Sequence, residues 1–128
     1  MISELTPVAT LPVTNMSRAR KFYEETLGLT VTSDQTEGVL YRCGDGTVLV
    51  YESQYAGTNK ATAMTFMVEK SKFDAEIEPL RSKGVSFMTF EMEDMKWDGD
   101  VAMSDDGFRG VWFTDPDGNI INVGSLPH

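Results

Sequence analysis

The segment formed by residues 91–106 holds the side chains best suited to binding chemistry. Trp97 stands there among seven carboxylates, three methionines and a single lysine. An aromatic face ringed by carboxylates can hold a flat or cationic molecule, because stacking and charge attraction then act together. The composition also fits a solvated loop in which Trp97 packs as a lid or as the anchor of a dimer. The seven acids are Glu91, Glu93, Asp94, Asp98, Asp100, Asp105 and Asp106.

Outside this segment, few residues could do chemistry on their own. Glu52 could be the general base of a lyase or an isomerase, with Tyr41, Tyr51 or a bound water as the acid. Cys43 is the only cysteine and lies in a strand-like run, which favours an inert thiol over a nucleophile. The only histidine, His128, is the last residue.

The elements that must position these side chains show the pattern of an internal duplication. The glycine that ends a helix, Gly28, recurs at Gly84 about 55 residues later. The glycine of a strand-turn-strand motif, Gly46, recurs at Gly118 about 72 residues later. The second half has therefore gained about 16 residues, which we assign to 91–106.

Hydrophobic periodicity gives each half the order βαβββ. Asn15 or Ser17 can cap the first helix, and Ser71 followed by Asp74 resembles a capping box for the second. Pro79 lies inside the second helix and predicts a kink. We expect one domain over 1–128, with modules at about 6–53 and 61–125 and a linker at about 54–60. The predicted strands are 8–13, 29–33, 39–42, 47–52, 61–68, 85–90, 111–114 and 120–123.

Size and charge exclude several classes of function. A chain of 128 residues that is 41% apolar can bury one moderate core. Twenty acids against eleven bases give a net charge of -9, a field that repels phosphate backbones and anionic lipid. No nucleic-acid or membrane partner is therefore expected. The chain has no apolar run of membrane-spanning length and no signal-like start, so a cytoplasmic location is the expectation.

Two segments carry a resemblance to a known family. Residues 13–29 read VTNMSRARKFYEETLGL, and residues 111–121 read VWFTDPDGNII. With the duplication, they make the chain resemble the vicinal oxygen chelate superfamily, which includes glyoxalase I, extradiol dioxygenases and bleomycin resistance proteins. The resemblance covers nearly the whole chain. It implies an α+β fold in which two tandem βαβββ modules form a curved mixed sheet around a concave cavity.

Metalloenzymes of that family hold a divalent ion with ligands from four strands, and this chain lacks most of them. Val8 and Ala63 stand where histidines are expected, and Asn122 replaces the glutamate of the pattern D-P-D-G-x-x-I-E. The fourth-strand position falls at Val50, or at Glu52 in a register shifted by two. Valine and alanine offer no lone pair, and asparagine is a weak neutral donor. We therefore expect neither a bound metal nor another cofactor.

Strand alternation assigns the residues that should line the concave face. With Leu11 and Val13 under the helix, the hollow receives mostly small apolar side chains and a few polar groups that could orient an organic ligand. The simpler alternative is a hollow filled by side chains. Trp112 could face the hollow or the core, and Tyr51 is a further ligand-binding candidate. The other residues placed in the hollow are Val8, Thr10, Pro12, Val48, Val50, Glu52, Ala63, Thr65, Met67, Ile120 and Asn122.

These patterns predict a homodimer that binds a small organic molecule, aromatic or cationic, without a catalytic metal. In bleomycin resistance proteins a tryptophan-bearing loop at the equivalent place contacts the drug, so the resemblance implies the same role for Trp97. Whether the protein is an enzyme is left open, with binding preferred. The alternative is a glyoxalase-like lyase or isomerase that uses Glu52, and a purely structural or partner-binding role is the third reading.

Overall fold

The computed structural model describes residues 1–125 as two compact units. The first comprises Met1–Lys60 and Pro116–Asn119, and the second comprises Ala61–Asp115 and the chain from Ile120 onward. Each unit has one sheet of mixed strands with its own helices, so the predicted α+β fold of two modules is confirmed. Within the described range, no helix is long and apolar enough to span a membrane.

The first unit follows the predicted βαβββ order after a short 3-10 turn at Ile2–Glu4. Its elements are β1 (Ala9–Val13), α1 (Met16–Arg20) continued by a π-helical segment (Lys21–Thr26), β2 (Thr30–Gln35), β3 (Gly38–Cys43) and β4 (Gly46–Glu52). The strands pair in the order β1-β4-β3-β2. Strand β1 runs parallel to β4, and the other pairs are antiparallel.

Local chemistry explains where the first helix begins and ends. The side chain of Asn15 accepts a hydrogen bond from the backbone nitrogen of Arg18 at 3.0 Å, so Asn15 is the cap. At the other end, the backbone nitrogen of Leu27 donates to the carbonyl of Phe22, five residues earlier, which is the wider turn of a π-helix. Gly28 then adopts a φ of 73°, where a side chain would be strained, and the helix stops.

The core of the first unit lies between its sheet and its helix. Tyr23 of the helix stacks on Tyr41 of β3 with ring centroids 6.0 Å apart. The Tyr41 hydroxyl donates to the carboxylate of Glu24 at 2.8 Å, which satisfies the one polar group of a buried ring. The buried apolar residues are Leu11, Val13, Ala19, Tyr23, Val39, Tyr41, Val48 and Val50.

The second unit contains more strands than the first. Its elements are β5 (Thr62–Val68), a 3-10 turn (Lys70–Lys72), α2 (Phe73–Ser82), β6 (Met95–Asp98), β7 (Val101–Ser104), β8 (Arg109–Thr114) and β9 (Ile120–Ser125). The strands pair in the order β5-β9-β8-β7-β6, with β5 parallel to β9. The helix buries Phe73 and Ile77, and the sheet buries Val111, Phe113, Ile121 and Val123.

Two predictions for this unit are wrong. Ser71 does not cap the helix, because it lies in the 3-10 turn and α2 begins at Phe73 without a side-chain cap. The predicted strand 85–90 is also absent: this stretch touches the sheet through a single bridge, in which the backbone nitrogen of Met88 donates to the carbonyl of Trp112 at 2.7 Å. Pro79 does lie inside α2, as predicted.

The turn between β8 and β9 belongs to the first unit, although it was expected in the second module. A carboxylate oxygen of Asp117 accepts hydrogen bonds from the backbone nitrogen of Thr14 and from the guanidinium of Arg18, each at 3.0 Å. The side-chain amide of Asn119 donates to the carbonyl of Pro12 at 2.8 Å. These bonds attach the turn to the connection between β1 and α1.

Candidate functional site

The inserted residues 91–106 fold largely as a β-hairpin rather than as a loop. Strands β6 and β7 are joined by the two residues Gly99 and Asp100. Only Gly99 of these has a positive φ, at 64°, which is the pattern of a type II′ turn. Val101 and Ala102 are buried where β7 joins the sheet. This part of the insertion therefore belongs to the core and not to a solvated loop.

Four rings meet on the face of the second sheet opposite α2, and we call them the aromatic cluster: Phe90, Trp97, Phe108 and Trp112. Trp112 is at the centre, with Phe90 at 5.0 Å, Trp97 at 6.2 Å and Phe108 at 6.5 Å between ring centroids. Phe90 also meets Trp97 at 5.6 Å and at an interplanar angle of 74°. These edge-on contacts are the geometry that ring quadrupoles favour.

Two glycines make room for the ring of Phe108. A Cβ atom on Gly110 would lie 2.7 Å from Phe108 Cζ, and one on Gly124 would lie 3.1 Å from Phe108 Cε2. The ring is therefore in contact with the backbone of β8 and β9, where any larger residue would displace it. Asn122 lies beside this ring, and its amide donates to the carbonyl of Val111 at 3.0 Å.

A cavity of about 840 Å³ opens beside the aromatic cluster. Two stretches of chain form its wall. One is the segment that follows the Met88 bridge, and the other is strand β6 together with the start of the turn after it. The lining combines aromatic rings, thioethers and carboxylates, and among the described residues that line it none is basic. They are Thr89, Phe90, Glu91, Met92, Glu93, Met95, Trp97 and Gly99.

The two tryptophans have different surroundings. Trp112 is 7% exposed, and its indole nitrogen donates to the hydroxyl of Thr62 at 3.3 Å. It is therefore the buried member at the centre of the cluster. Trp97 is half-buried and belongs both to the cluster and to the cavity wall. Its environment allows it to pack and to contact a ligand at the same time.

Sequence comparison identifies the family. Residues 5–123 match the model of the Glyoxalase/Bleomycin resistance protein/Dioxygenase superfamily. The chain belongs to this superfamily. No curated protein matches the chain in sequence.

Solved structures with the same fold include members that bear the superfamily's names. Lactoylglutathione lyase from Agrobacterium tumefaciens has a TM-score of 0.71 at 18% identity, over 96% of this chain and 94% of that one. A glyoxalase family protein from Enterococcus faecalis has a TM-score of 0.72 at 18% identity, over 97% and 99%. The fosfomycin resistance protein FosX from Listeria monocytogenes, complexed with Mn(II) and sulfate, has a TM-score of 0.71 at 14% identity, over 98% and 91%. These likenesses establish the fold.

The residues at the superfamily's metal positions do not fit a divalent ion. Val8 precedes β1, and the amide of Asn122 already donates to a backbone carbonyl. Ala63 lies in a β-bulge where β5 slips against β9, and it has no lone pair to offer. Among residues 1–125, no three His, Cys, Asp or Glu side chains form a group that could hold a metal. His128 lies outside the described residues.

The structure corrects the placement of the fourth-strand residues. Val48 of β4 pairs with Tyr41 of β3, and the ring of Tyr41 stacks on Tyr23 of the helix. Val48 and every second residue along β4 therefore face the helix. Val50 and Glu52 therefore lie on that face, and not on the opposite one where they were expected. The Glu52 carboxylate accepts a hydrogen bond from the backbone nitrogen of Met16 at 3.1 Å. It stabilises the start of α1, which removes the geometric basis for Glu52 as a general base in the hollow.

The other predicted ligand contacts fall on two separate sheets. Thr10 and Tyr51 share the face of the first sheet opposite α1, since Thr10 pairs with Leu49 two residues from Tyr51. On the second sheet, Thr65 pairs with Asn122, and Asn122 pairs with Trp112, so these three form a row. The bulge at Ala63 breaks the alternation that placed it in this row, and Thr62 contacts Trp112 instead.

The sequence analysis missed Phe90 and Phe108 as site residues. A signal for the hairpin was present, because Gly99 and Asp100 are turn-forming residues that separate two short segments containing apolar side chains. Its recognition would have placed Trp97 on a strand. No local pattern predicts that Phe108 lies against two glycines. Burial raises the pKa of the Cys43 thiol, which disfavours the thiolate that a nucleophile needs.

Proposed function

We propose that the protein binds a flat, aromatic and cationic organic molecule in the cavity beside Trp97, without a catalytic metal. The observation that carries this proposal is the lining of the cavity, in which Phe90 and Trp97 supply ring surface and Met92 and Met95 supply thioethers. A volume of about 840 Å³ is in the range of sites for drug-sized ligands.

Stacking supplies most of the expected affinity. Glu91 and Glu93 are exposed, so their attraction for a cation is weakened by water and salt. Contact with an aromatic ring depends on buried apolar area and is not screened in this way. We therefore assign affinity mainly to Trp97, and the preference for a cation over an anion to the two glutamates.

Substitution of Trp97 tests the stacking role. Proflavine, a planar aromatic cation, serves as the probe, and its binding is followed by dye fluorescence. Trp97→Ala should weaken binding by roughly tenfold to a hundredfold, whereas Trp97→Phe, which keeps a ring, should retain most of the affinity. Unchanged binding in Trp97→Ala, measured on folded protein, would refute the role of this residue.

Charge selectivity has its own control. The double variant Glu91→Gln/Glu93→Gln should lose the preference for proflavine over the anionic dye anilinonaphthalene sulfonate. Asp98→Asn removes an acid of the same insertion, 91–106, that does not line the cavity, and it should leave the preference intact. Equal losses in both variants would mean that only the overall charge of the protein acts.

The proposal includes a homodimer that binds its ligand without metal. Sedimentation should therefore give twice the chain mass, and a monomer that binds proflavine fully would contradict the dimer. Elemental analysis after dialysis should find well under one equivalent of divalent metal. Treatment with a chelator should leave proflavine binding unchanged.

A further inference from the structure

The walls of the cavity have little support from backbone hydrogen bonds. Residues 89–93 belong to no helix or strand, and the bridge at Met88 lies just before them. Strand β6 is the edge of its sheet and pairs only with β7. Main-chain bonding therefore connects the first wall to the sheet only through the Met88 bridge and the second only through β7.

One side chain, Arg81 of α2, contacts the chain at the base of both walls. Its two terminal nitrogens donate to the two carboxylate oxygens of Asp100, at 3.0 Å and 2.8 Å. Its guanidinium carbon also lies 5.0 Å from the ring centroid of Phe87. Asp100 follows Gly99 in the turn of the hairpin, and Phe87 precedes Phe90 by three residues.

Arg81 is itself held in place. The helix that carries it is fixed to the core by the buried side chains of Phe73 and Ile77. Phe87, beneath its guanidinium, packs against the buried Phe113 with ring centroids 6.1 Å apart. The guanidinium therefore joins the turn of the hairpin, through Asp100, to a base formed by α2, Phe87 and Phe113.

We propose that Arg81 is the positioning residue of the cavity: through Asp100 and Phe87 it sets the distance between the two walls and so the placement of Trp97 against Trp112. This rests on the proposed function as far as ligand affinity is concerned. The placement of Trp97 is independent of any ligand. Lysine cannot replace arginine in this role, because an ammonium group lacks the planar fork that binds a carboxylate through two nitrogens and stacks on a ring.

The same helix offers a matched control. Asp74, near the start of α2, accepts hydrogen bonds from Arg109 of β8 through both carboxylate oxygens, at 3.2 Å and 2.9 Å. The guanidinium carbon of Arg109 also lies 4.7 Å from the ring centroid of Phe73. This second clamp has the same chemistry, yet it joins α2 to β8, and none of its three residues lines the cavity. Its loss should affect stability without moving Trp97.

The first readout needs no ligand. Two indoles 6.2 Å apart couple in circular dichroism, and the sign and size of the couplet depend on their relative orientation. Arg81→Met should abolish or invert the couplet in folded protein, and Arg81→Lys should change it in the same direction because charge alone does not restore the fork. Arg109→Met should keep the couplet and lower only the melting temperature, by a few degrees.

The second readout is proflavine affinity. Arg81→Met should weaken binding by about tenfold, and Asp100→Asn by a similar factor. The double variant should weaken binding by no more than either single variant, since both substitutions remove the same contact between Arg81 and Asp100. Asp100→Asn also serves as the substitute if Arg81→Met fails to fold.

The outcomes separate this inference from the proposed function. If proflavine does not bind the unmodified protein while the couplet depends on Arg81, the ligand proposal fails and the positioning role stands. If proflavine binds but the Arg81 and Asp100 variants keep both the couplet and the affinity, the positioning role is overturned. Equal effects of the Arg81 and Arg109 variants on the couplet would also overturn it, because they would show a general loss of rigidity.

Discussion

The two units pair their strands in the same order, but they differ at one edge of the sheet. In the first unit β2 lies beside β3 along most of its length. In the second, the corresponding stretch 85–90 meets β8 only at Met88, and strand β7 pairs with the first two residues of that edge, Arg109 and Gly110. The chain after Met88 leaves the sheet and, together with β6, forms the cavity.

This difference shows how an insertion can create a site in a duplicated fold. Each backbone group on the edge of β8 can bond to one neighbour, and β7 occupies the positions opposite Arg109 and Gly110. The stretch 85–90 therefore keeps a single bridge, at Trp112. The residues it would otherwise use for pairing become available to line a cavity. The first unit has no such insertion, and its edge strand β2 stays paired with β3 on both sides of one register shift, between Val31 and Ser33.

The largest expected effect on stability comes from substituting Gly38 in β3, which occupies the same place in the first unit as Gly110 of β8 does in the second. Gly38 has a φ of 154°, and a Cβ atom there would lie 2.7 Å from the carbonyl oxygen of Val50. That oxygen belongs to the ladder between β3 and β4 and cannot move without breaking it. Gly38→Ala should therefore cost about 3 kcal/mol of unfolding free energy, measured by urea denaturation. A loss below about 1 kcal/mol would show that the ladder can adjust.

Gly110→Ala should be less damaging, although its Cβ atom would lie equally close to a neighbour. That neighbour is the far end of the Phe108 ring, at 2.7 Å, and a side chain can rotate away. We expect a loss of about 1 to 2 kcal/mol together with a change in the near-ultraviolet spectrum of the aromatic cluster. Adding Phe108→Leu should suppress the spectral effect of Gly110→Ala. If it does not, the glycine is needed for the backbone and not for the ring.

The sequence predicts the duplicated order of elements because its signals are local. Residues near in sequence decide where the first helix begins, at the cap Asn15, and where it ends, at Gly28. They also decide where the strand that precedes each helix lies. The face of β4 could not be predicted in this way. Its residues are apolar on both sides, with Val48 and Val50 alternating with Leu49 and Tyr51, so only the pairing with β1 and β3 decides which side meets the helix.

The candidate site was predicted only in outline. Trp97 and the acidic insertion stood out by composition, and Trp97 and two of the seven acids, Glu91 and Glu93, line the cavity. Phe108 and Arg81 did not stand out, because their roles depend on contacts with Gly124 and Asp100 that no local pattern encodes. A single surface arginine resembles any other until its partners are known.

A smaller effect is expected at Tyr41, which ties β3 to the helix of the first unit. Tyr41→Phe removes the hydroxyl that donates to Glu24, while Arg20 still donates to that carboxylate at 2.7 Å. The expected loss at neutral pH is about 1 kcal/mol of unfolding free energy. Tyr55→Phe, which changes a tyrosine that is 69% exposed, is the control and should have no measurable effect.

The same hydroxyl predicts sensitivity to alkali in the first unit. Burial, with help from the bond to Glu24, raises the pKa of Tyr41 above its ordinary value. The folded state thus keeps the proton that the unfolded state loses near pH 10. This contribution is complete below pH 10 and declines as the pH rises further. Unfolding measured above pH 10 should show the difference between the native protein and Tyr41→Phe becoming smaller, and a constant difference would contradict this account.

The smallest expected effect lies in the second unit. Its contribution to stability is lost as the pH falls, whereas that of Tyr41 is lost as the pH rises. The two hydrogen bonds from Arg109 lower the pKa of Asp74 below its ordinary value. The folded state then holds the carboxylate at a pH where the unfolded state begins to bind a proton, near pH 4. The contribution is present above that pH and is lost as the pH falls through the lower pKa of the folded state.

Asp74→Asn should therefore destabilise slightly at pH 7, since the Asp74 side chain is 73% exposed and the ion pair is screened by water. The difference from the native protein should shrink as the pH falls below about 4 and close once the pH is below the lower pKa of the folded state, because both proteins then carry a neutral group at this position. Glu76→Gln, at an exposed acid on the same helix, is the control. Thermal melts at several pH values decide the question. A difference that persists in acid would mean that Asp74 acts through packing, and the clamp at Arg109 would then owe its strength to the contact with Phe73.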